Sequence, residues 1–140
     1  MDLRIQKDCS NINWHEVSQL MLSVNIGSFP AEIRQKAFEN SASVVFVFDK
    51  DKLVGVGRAV SDYTYEAAIY DIAVHPEYQG KGIGKTIVQT LMESLPTCNF
   101  ILYAAPGKEG FYAKLGFRKL KTGMGLFRKK EYMRERGFTD

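Results

Sequence analysis

One stretch, running from Asp71 through Val74, His75, Pro76, Glu77 and Tyr78 to Thr86, constrains this chain more than any other. Ile69, Ile72 and Val74 supply the β-branched content of a strand. Pro76 argues against helix or central strand beside it. Gly80, Gly82 and Gly84 then leave bare backbone that an outside group can approach closely. From Ile83 the apolar residues fall at helical spacing, through Ile87, Val88, Leu91, Met92 and Leu95. The first amides of such a helix have no intrahelical acceptor, and its dipole puts about half a positive charge there. A strand running through a glycine loop into a helix is an anion cradle, and Lys81 and Lys85 reinforce its sign.

Spacing separates the candidate anions. Gly84-Lys85-Thr86 would end a nucleotide-binding loop of the form G-x-x-x-x-G-K-T, but that form needs glycine where Gln79 stands. A dinucleotide fingerprint G-x-G-x-x-G begun at Gly80 needs glycine where Lys85 stands. Gln79-Gly80-Lys81-Gly82-Ile83-Gly84 does spell Q-x-x-G-x-G. Between a strand and an amphipathic helix, this resembles the acetyl-coenzyme A motif of the GNAT N-acetyltransferase superfamily. Phe111-Tyr112-x-Lys114-Leu115-Gly116-Phe117 resembles that family's second signature.

The rest of the chain reads as ordinary for one domain. A length of 140 residues suits a single core, and 45% hydrophobic with 25% charged residues is usual for a globular protein. No apolar run approaches the roughly 20 residues of a membrane helix, and Met1-Asp2-Leu3-Arg4 has no signal-peptide layout, so a cytoplasmic location with no membrane partner is expected. Cys9 and Cys98 show neither metal spacing nor a disulfide framework, and no metal is expected. The net charge is +3, concentrated towards the C-terminus from Arg118 to Arg136 and diluted by Glu131 and Glu135. Without interleaved aromatic motifs, this reads as a solvated surface and not a nucleic-acid patch.

In order, the pattern predicts a short strand around Leu3 and Ile5, then a helix capped by Asn13 and running to about Val24. A second helix from Pro30 to about Asn40 turns Ile33, Ala37 and Phe38 inward. Ser43–Phe48 and Leu53–Val60 form a hairpin in which Gly55 and Gly57 either permit a bulge or keep one sheet face open to a ligand. Further strands are expected over Glu66–Val74 and Asn99–Ala104, and a short helix closed by Gly116 follows. A last strand pair is expected over Arg118–Thr122 and Met124–Arg128, and the tail from Lys130 is assigned no structure. The order β-α-α-β-β-β-α-β-α-β-β gives an α/β fold with a mixed sheet and helices on both faces, one domain over residues 1–140. That order is also the GNAT order, so the resemblance extends over nearly the whole chain.

The resemblance implies a splayed pair formed by the Glu66–Val74 strand and the one from Asn99. The pantetheine arm of acetyl-coenzyme A would bond backbone at Ile72, Ala73 and Val74, and its pyrophosphate would rest on Gln79, Gly80, Lys81, Gly82, Ile83, Gly84 and Lys85. Tyr112 corresponds to the family's general acid towards the departing thiolate. Complete proton transfer from a phenol of pKa ~10 to a thiolate of pKa ~8.5 is uphill by about 2 kcal/mol, so hydrogen bonding to developing charge matters as much as finished transfer. An amine of pKa ~10.4 costs about 4.6 kcal/mol to deprotonate at pH 7. The base position of histone-modifying members falls on Ala68, so this chain lacks that carboxylate and no base is assigned. By strand alternation Glu66 and Tyr70 share the face of Ala68, and Asp71 points oppositely.

In the family's fold the acceptor enters beside Asn25–Phe29 and Ser61–Glu66, where Tyr63 and Tyr65 with Asp62 and Glu66 would suit an amine. The short chain favours a small-molecule amine over an extended peptide. A homodimer through the C-terminal strands is possible on the family's pattern. Two other readings stay open at this point: a non-catalytic acyl-coenzyme A sensing module, and a nucleotide binder using Gly84-Lys85-Thr86.

Overall fold

The computed structural model describes residues 1–140, which divide into two compact units, Met1–Leu102 and Tyr103–Asp140. The first holds the sheet. Its elements are β1 (Leu3–Gln6), α1 (Trp14–Ser23), α2 (Ala31–Glu39), β2 (Ser43–Asp49), β3 (Lys52–Ser61), β4 (Glu66–Val74), α3 (Ile83–Ser94) and β5 (Asn99–Ile101). A 3-10 turn, Pro76–Tyr78, links β4 to the glycine loop. The strands lie in sequence order, β1 to β4 antiparallel and β5 parallel to β4, so the expected mixed sheet is present.

Local signals set the element ends. The Asn13 side chain accepts from the amides of His15 and Glu16 and so caps the first turn of α1. Val17, Leu20 and Met21 of α1 pack with Phe38 of α2 and with Val44, Phe46, Val56 and Ala73 of the sheet. Trp14, Phe38 and Phe46 meet with ring centroids 5.5–5.9 Å apart. On the other sheet face α3 buries Ile83, Ile87, Val88 and Leu91, each such burial contributing about 1.5–3 kcal/mol.

Gly55 and Gly57 mark where α3 meets the sheet. A Cβ on Gly57 would lie 2.5 Å from Ile87 Cγ2 and 2.7 Å from Ile72 Cδ1, and one on Gly55 would lie 2.9 Å from Ile87 Cδ1. Their missing side chains admit the helix, so this face is not open to a ligand. Helix α2 also differs from the periodicity reading. Ile33 is exposed, and Arg34 takes the inward place with 4% of its surface accessible. Its guanidinium has partners in the interior, described below, whereas the Ile33 position faces solvent.

The second unit contains α4 (Glu109–Ala113) and α5 (Lys130–Glu135), with the Tyr103 ring against Phe127 and Phe138 at 5.4 and 5.8 Å. The expected strands over 118–122 and 124–128 are absent, and the tail left unassigned instead forms α5. Alternation alone misleads here, because two short strands by themselves bury no face. Met124 and Leu126 are 99% and 82% exposed, and the sheet ends at β5. The C-terminal strands named for a possible homodimer are therefore not formed.

Candidate active site

Strand β4 pairs with β5 only at Glu66–Asn99, Ala67–Phe100 and Ala68–Ile101. From Ile69 to Val74 that edge of β4 has no strand beside it, so its outward backbone groups are left without ladder partners. This parting ends β5 at Ile101, short of the Ala104 expected from sequence. One of the edge carbonyls, Val74 O, accepts from Gln79 Nε2 at 3.0 Å. Ile72, Ala73 and Val74 thus lie on the open stretch, and Gln79 already bonds its far end.

The edge leads directly into the loop. The amide of His75 donates to Val54 O, and His75 Nδ1 accepts from the Glu77 amide at 3.1 Å, so this imidazole fixes the turn. Tyr78 Oη donates to Asp49 Oδ2 at 2.6 Å and ties the turn to the end of β2. That bond, and secondarily one from the Asp2 amide, holds the Asp49 carboxyl below its ordinary range. Gly80 and Gly82 follow at φ +76° and +85°, where an L side chain would be strained, and nothing lies within 4 Å of a Cβ built on either.

Gly82 caps α3 without a side-chain hydrogen bond, and the first intrahelical bond runs from the Thr86 amide to Gly82 O at 3.1 Å. The amides of Ile83, Gly84 and Lys85 precede it in the turn that carries the positive end of the dipole. Lys81 and Lys85 are exposed beside them. Donors, space and sign all fit an anion such as a pyrophosphate.

Behind the edge lies a cluster that sequence reasoning missed. Val56 pairs with Ala73 but Arg58 with Tyr70, so Asp71 and Ile72 of β4 stand opposite Gly57 alone. This is a β-bulge, and Asp71 carries it at φ +59°. Arg58 Nε donates to Asp71 Oδ2 at 2.6 Å, and Arg34 Nη1 is 3.7 Å from Asp71 Oδ1, a charge contact beyond hydrogen-bond range. Arg34 Nη2 also donates to Ile26 O at 2.7 Å, Arg34 Nε is buried without a partner, and Arg58 Nη1 donates to Ser41 Oγ. Burial lowers the Arg34 pKa, with Asp71 opposing and Arg58 adding to the shift.

Simple alternation fails at this point, because Asp71 and the Tyr70 ring, 5.3 Å away, both meet the Arg58 guanidinium. The available signal was an aspartate within a β-branched strand, where its propensity is poor. With two guanidinium groups upon it, Asp71 is not a free base.

Residues 11–117 match the model of the acetyltransferase (GNAT) family. The chain belongs to that family. An uncharacterized N-acetyltransferase, ycf52, of Pyropia yezoensis is 37% identical over 125 residues, covering 84% of this chain and 72% of that protein. A histone acetyltransferase, TAP1, of Glycine max is 36% identical over 83 residues, 56% of this chain and 36% of that one. A probable acetyltransferase from meticillin-resistant Staphylococcus aureus shares the fold, with a TM-score of 0.79 over 90% of this chain and 99% of that one at 24% identity. This chain is thus a GNAT N-acetyltransferase, and its fold implies use of acetyl-coenzyme A.

The second GNAT signature lies in the other unit. Tyr112 is on α4, half-buried, with its ring 4.9 Å from Phe111 and 5.8 Å from Phe117. Its carbonyl accepts from the amides of Leu115 and Phe117, and Gly116 between them has φ +96°. Burial raises the Tyr112 pKa above its ordinary value.

Among the residues expected to border the acceptor, Asp62 is committed to its own turn, with Oδ1 accepting from the amides of Thr64, Tyr65 and Glu66. Tyr63 and Tyr65 are exposed, and Glu66 Oε1 accepts from Asn99 Nδ2 at 3.0 Å. A recess of about 280 Å³ lies between α1 and the Ser28–Glu32 segment, lined by His15, Ser18, Phe29 and Glu32 among others.

Proposed function

We propose that acetyl-coenzyme A lies along the open edge of β4 and that its acetyl group passes directly to the primary amine of a small molecule. One observation carries this reading. The stretch of β4 that has a strand on one side only runs into a loop whose left-handed glycines have empty space beside them. Outward backbone groups along the Ile72–Val74 stretch bond the pantetheine amides. Gln79, Gly80, Lys81, Gly82, Ile83, Gly84 and Lys85 hold the pyrophosphate through amides and the two lysine charges, each charge-assisted bond contributing about 1.5–3 kcal/mol.

Tyr112 donates a proton or a hydrogen bond to the departing sulfur. Burial that disfavours the phenolate keeps this group protonated across the neutral range, which is the state a donor needs. Direct transfer is favoured because Cys9 and Cys98 lie outside both motifs. For the acceptor, the recess beside Phe29 is of small-molecule scale, and its Glu32 and Ser18 suit an ammonium group.

Calorimetric titration with acetyl-coenzyme A, with ATP-magnesium as control, tests the cofactor. Micromolar binding of the first alone is expected, and binding of neither overturns the reading. Thiol release with a panel of small amines set against lysine-bearing peptides tests the acceptor. Turnover confined to peptides overturns the small-molecule assignment.

A further inference from the structure

Along the open edge of β4 one residue holds a backbone conformation that few residue types other than glycine, asparagine and aspartate adopt. Asp71 sits at φ +59°, a region L residues avoid except at isolated positions. Were Asp71 to become extended, the bulge would disappear and the residues after it would slip by one against β3. A one-residue slip exchanges the two sheet faces. Ala73, 2% exposed in the α1–α2 core, would trade places with Ile72, whose Cδ1 now sits over Gly57 on the α3 side. Backbone donors and acceptors alternate in step with side chains, so the groups that Ile72–Val74 present to the open edge would change too.

The carboxylate of Asp71 is gripped from two other elements, by Arg58 of β3 at 2.6 Å and by Arg34 of α2 at 3.7 Å. Both guanidinium groups are themselves anchored, on Ser41 Oγ and on Ile26 O. We infer that Asp71, clasped by Arg58 and Arg34, is a positioning residue that holds the β4 bulge and so sets the backbone edge that receives acetyl-coenzyme A. This rests on the cofactor reading above. A cluster serving only to fasten α2 to the sheet would need a carboxylate but no particular φ at its backbone, and this difference makes the two roles separable.

The experiment compares Asp71→Ala with Asp71→Gly. Both abolish the ion pairs, but glycine adopts the left-handed conformation freely and alanine does not. Acetyl-coenzyme A affinity is measured by calorimetry at a temperature where every variant is folded, with Val17→Ala as a destabilised control from the α1 core. Amide exchange at Ile72–Val74 is followed alongside. Asp71→Ala is expected to bind at least tenfold more weakly than wild type with altered exchange at those amides, Asp71→Gly to recover part of the loss, and Val17→Ala to bind normally.

Wild-type affinity in Asp71→Ala, or equal loss in the alanine and glycine variants, overturns the inference and leaves the cofactor reading standing. Should Asp71→Ala not fold, Arg58→Gln replaces it, with severalfold weaker binding expected and unchanged binding overturning the role. Absence of binding in the wild type overturns both readings together.

Discussion

Arg58 and Asp71 meet at 2.6 Å across the β3–β4 pair, at the one position where that ladder gains an extra residue. The side chains are 18% and 16% exposed, so the pair lies largely out of water. Removing one partner from such a pair costs about 3–5 kcal/mol, because the other charge is left buried. Arg58→Met should therefore lower the urea midpoint of unfolding by a clear margin. A midpoint within error of wild type would show that Arg34 alone satisfies the carboxylate.

Gly57→Ala should destabilise the fold by about 1–3 kcal/mol through overpacking. The added methyl would meet Ile87 and Ile72 at separations far inside contact distance. Paired with Ile72→Val, which removes the Cδ1 that would lie 2.7 Å from the new methyl, the loss should shrink. Independent, additive effects of the two changes in denaturant titrations would contradict the proposed clash.

Tyr78→Phe should raise the Asp49 carboxyl pKa, read from side-chain carbon shifts in an NMR titration. The phenol hydrogen bond is the first cause of the depressed value, and the Asp2 amide the second. A depressed folded pKa contributes stability above the unfolded value, near 3.8, and that contribution fades as pH falls through the folded value. The variant should lose that part of its acid-side dependence, and an Asp49 titration unchanged by the substitution would rule this out.

Tyr112→Phe should reduce turnover by roughly 10²–10⁴ while acetyl-coenzyme A binding persists. Because burial raises the tyrosine pKa, the group stays protonated beyond its ordinary range, so no alkaline loss of kcat below about pH 10 is expected from it. The same shift adds stability that is complete below the unfolded pKa and disappears as pH rises through the folded one. Normal turnover in the variant would remove Tyr112 from the chemistry.

Asn13→Ala should cost about 1 kcal/mol, since the His15 amide at the start of α1 loses its acceptor and the Glu16 amide keeps only the Asn13 carbonyl. Asn13→Asp should restore it. Helical content and thermal midpoint measured together would show whether the loss is confined to this cap.

Periodicity and turn chemistry determined much of this protein. The hairpin of β2 and β3, the Asn13 cap, the β4 strand and the glycine loop before α3 all follow from residues that interact with near neighbours, so a linear reading captures them. Family membership was equally legible, because a backbone-binding loop must be written in glycines at fixed spacing. What the tertiary structure decided lies where distant elements meet. Ile33 and Arg34 exchanged roles because Asp71, 37 positions away by number, supplies a charge for the arginine. Gly57 became a helix contact because α3 folds over it, and the C-terminal residues alternate like strands yet have no ladder to join. Aspartate tolerates the left-handed turn at position 71, but the two guanidinium groups that meet its carboxylate come from α2 and β3, and only the folded chain brings them there.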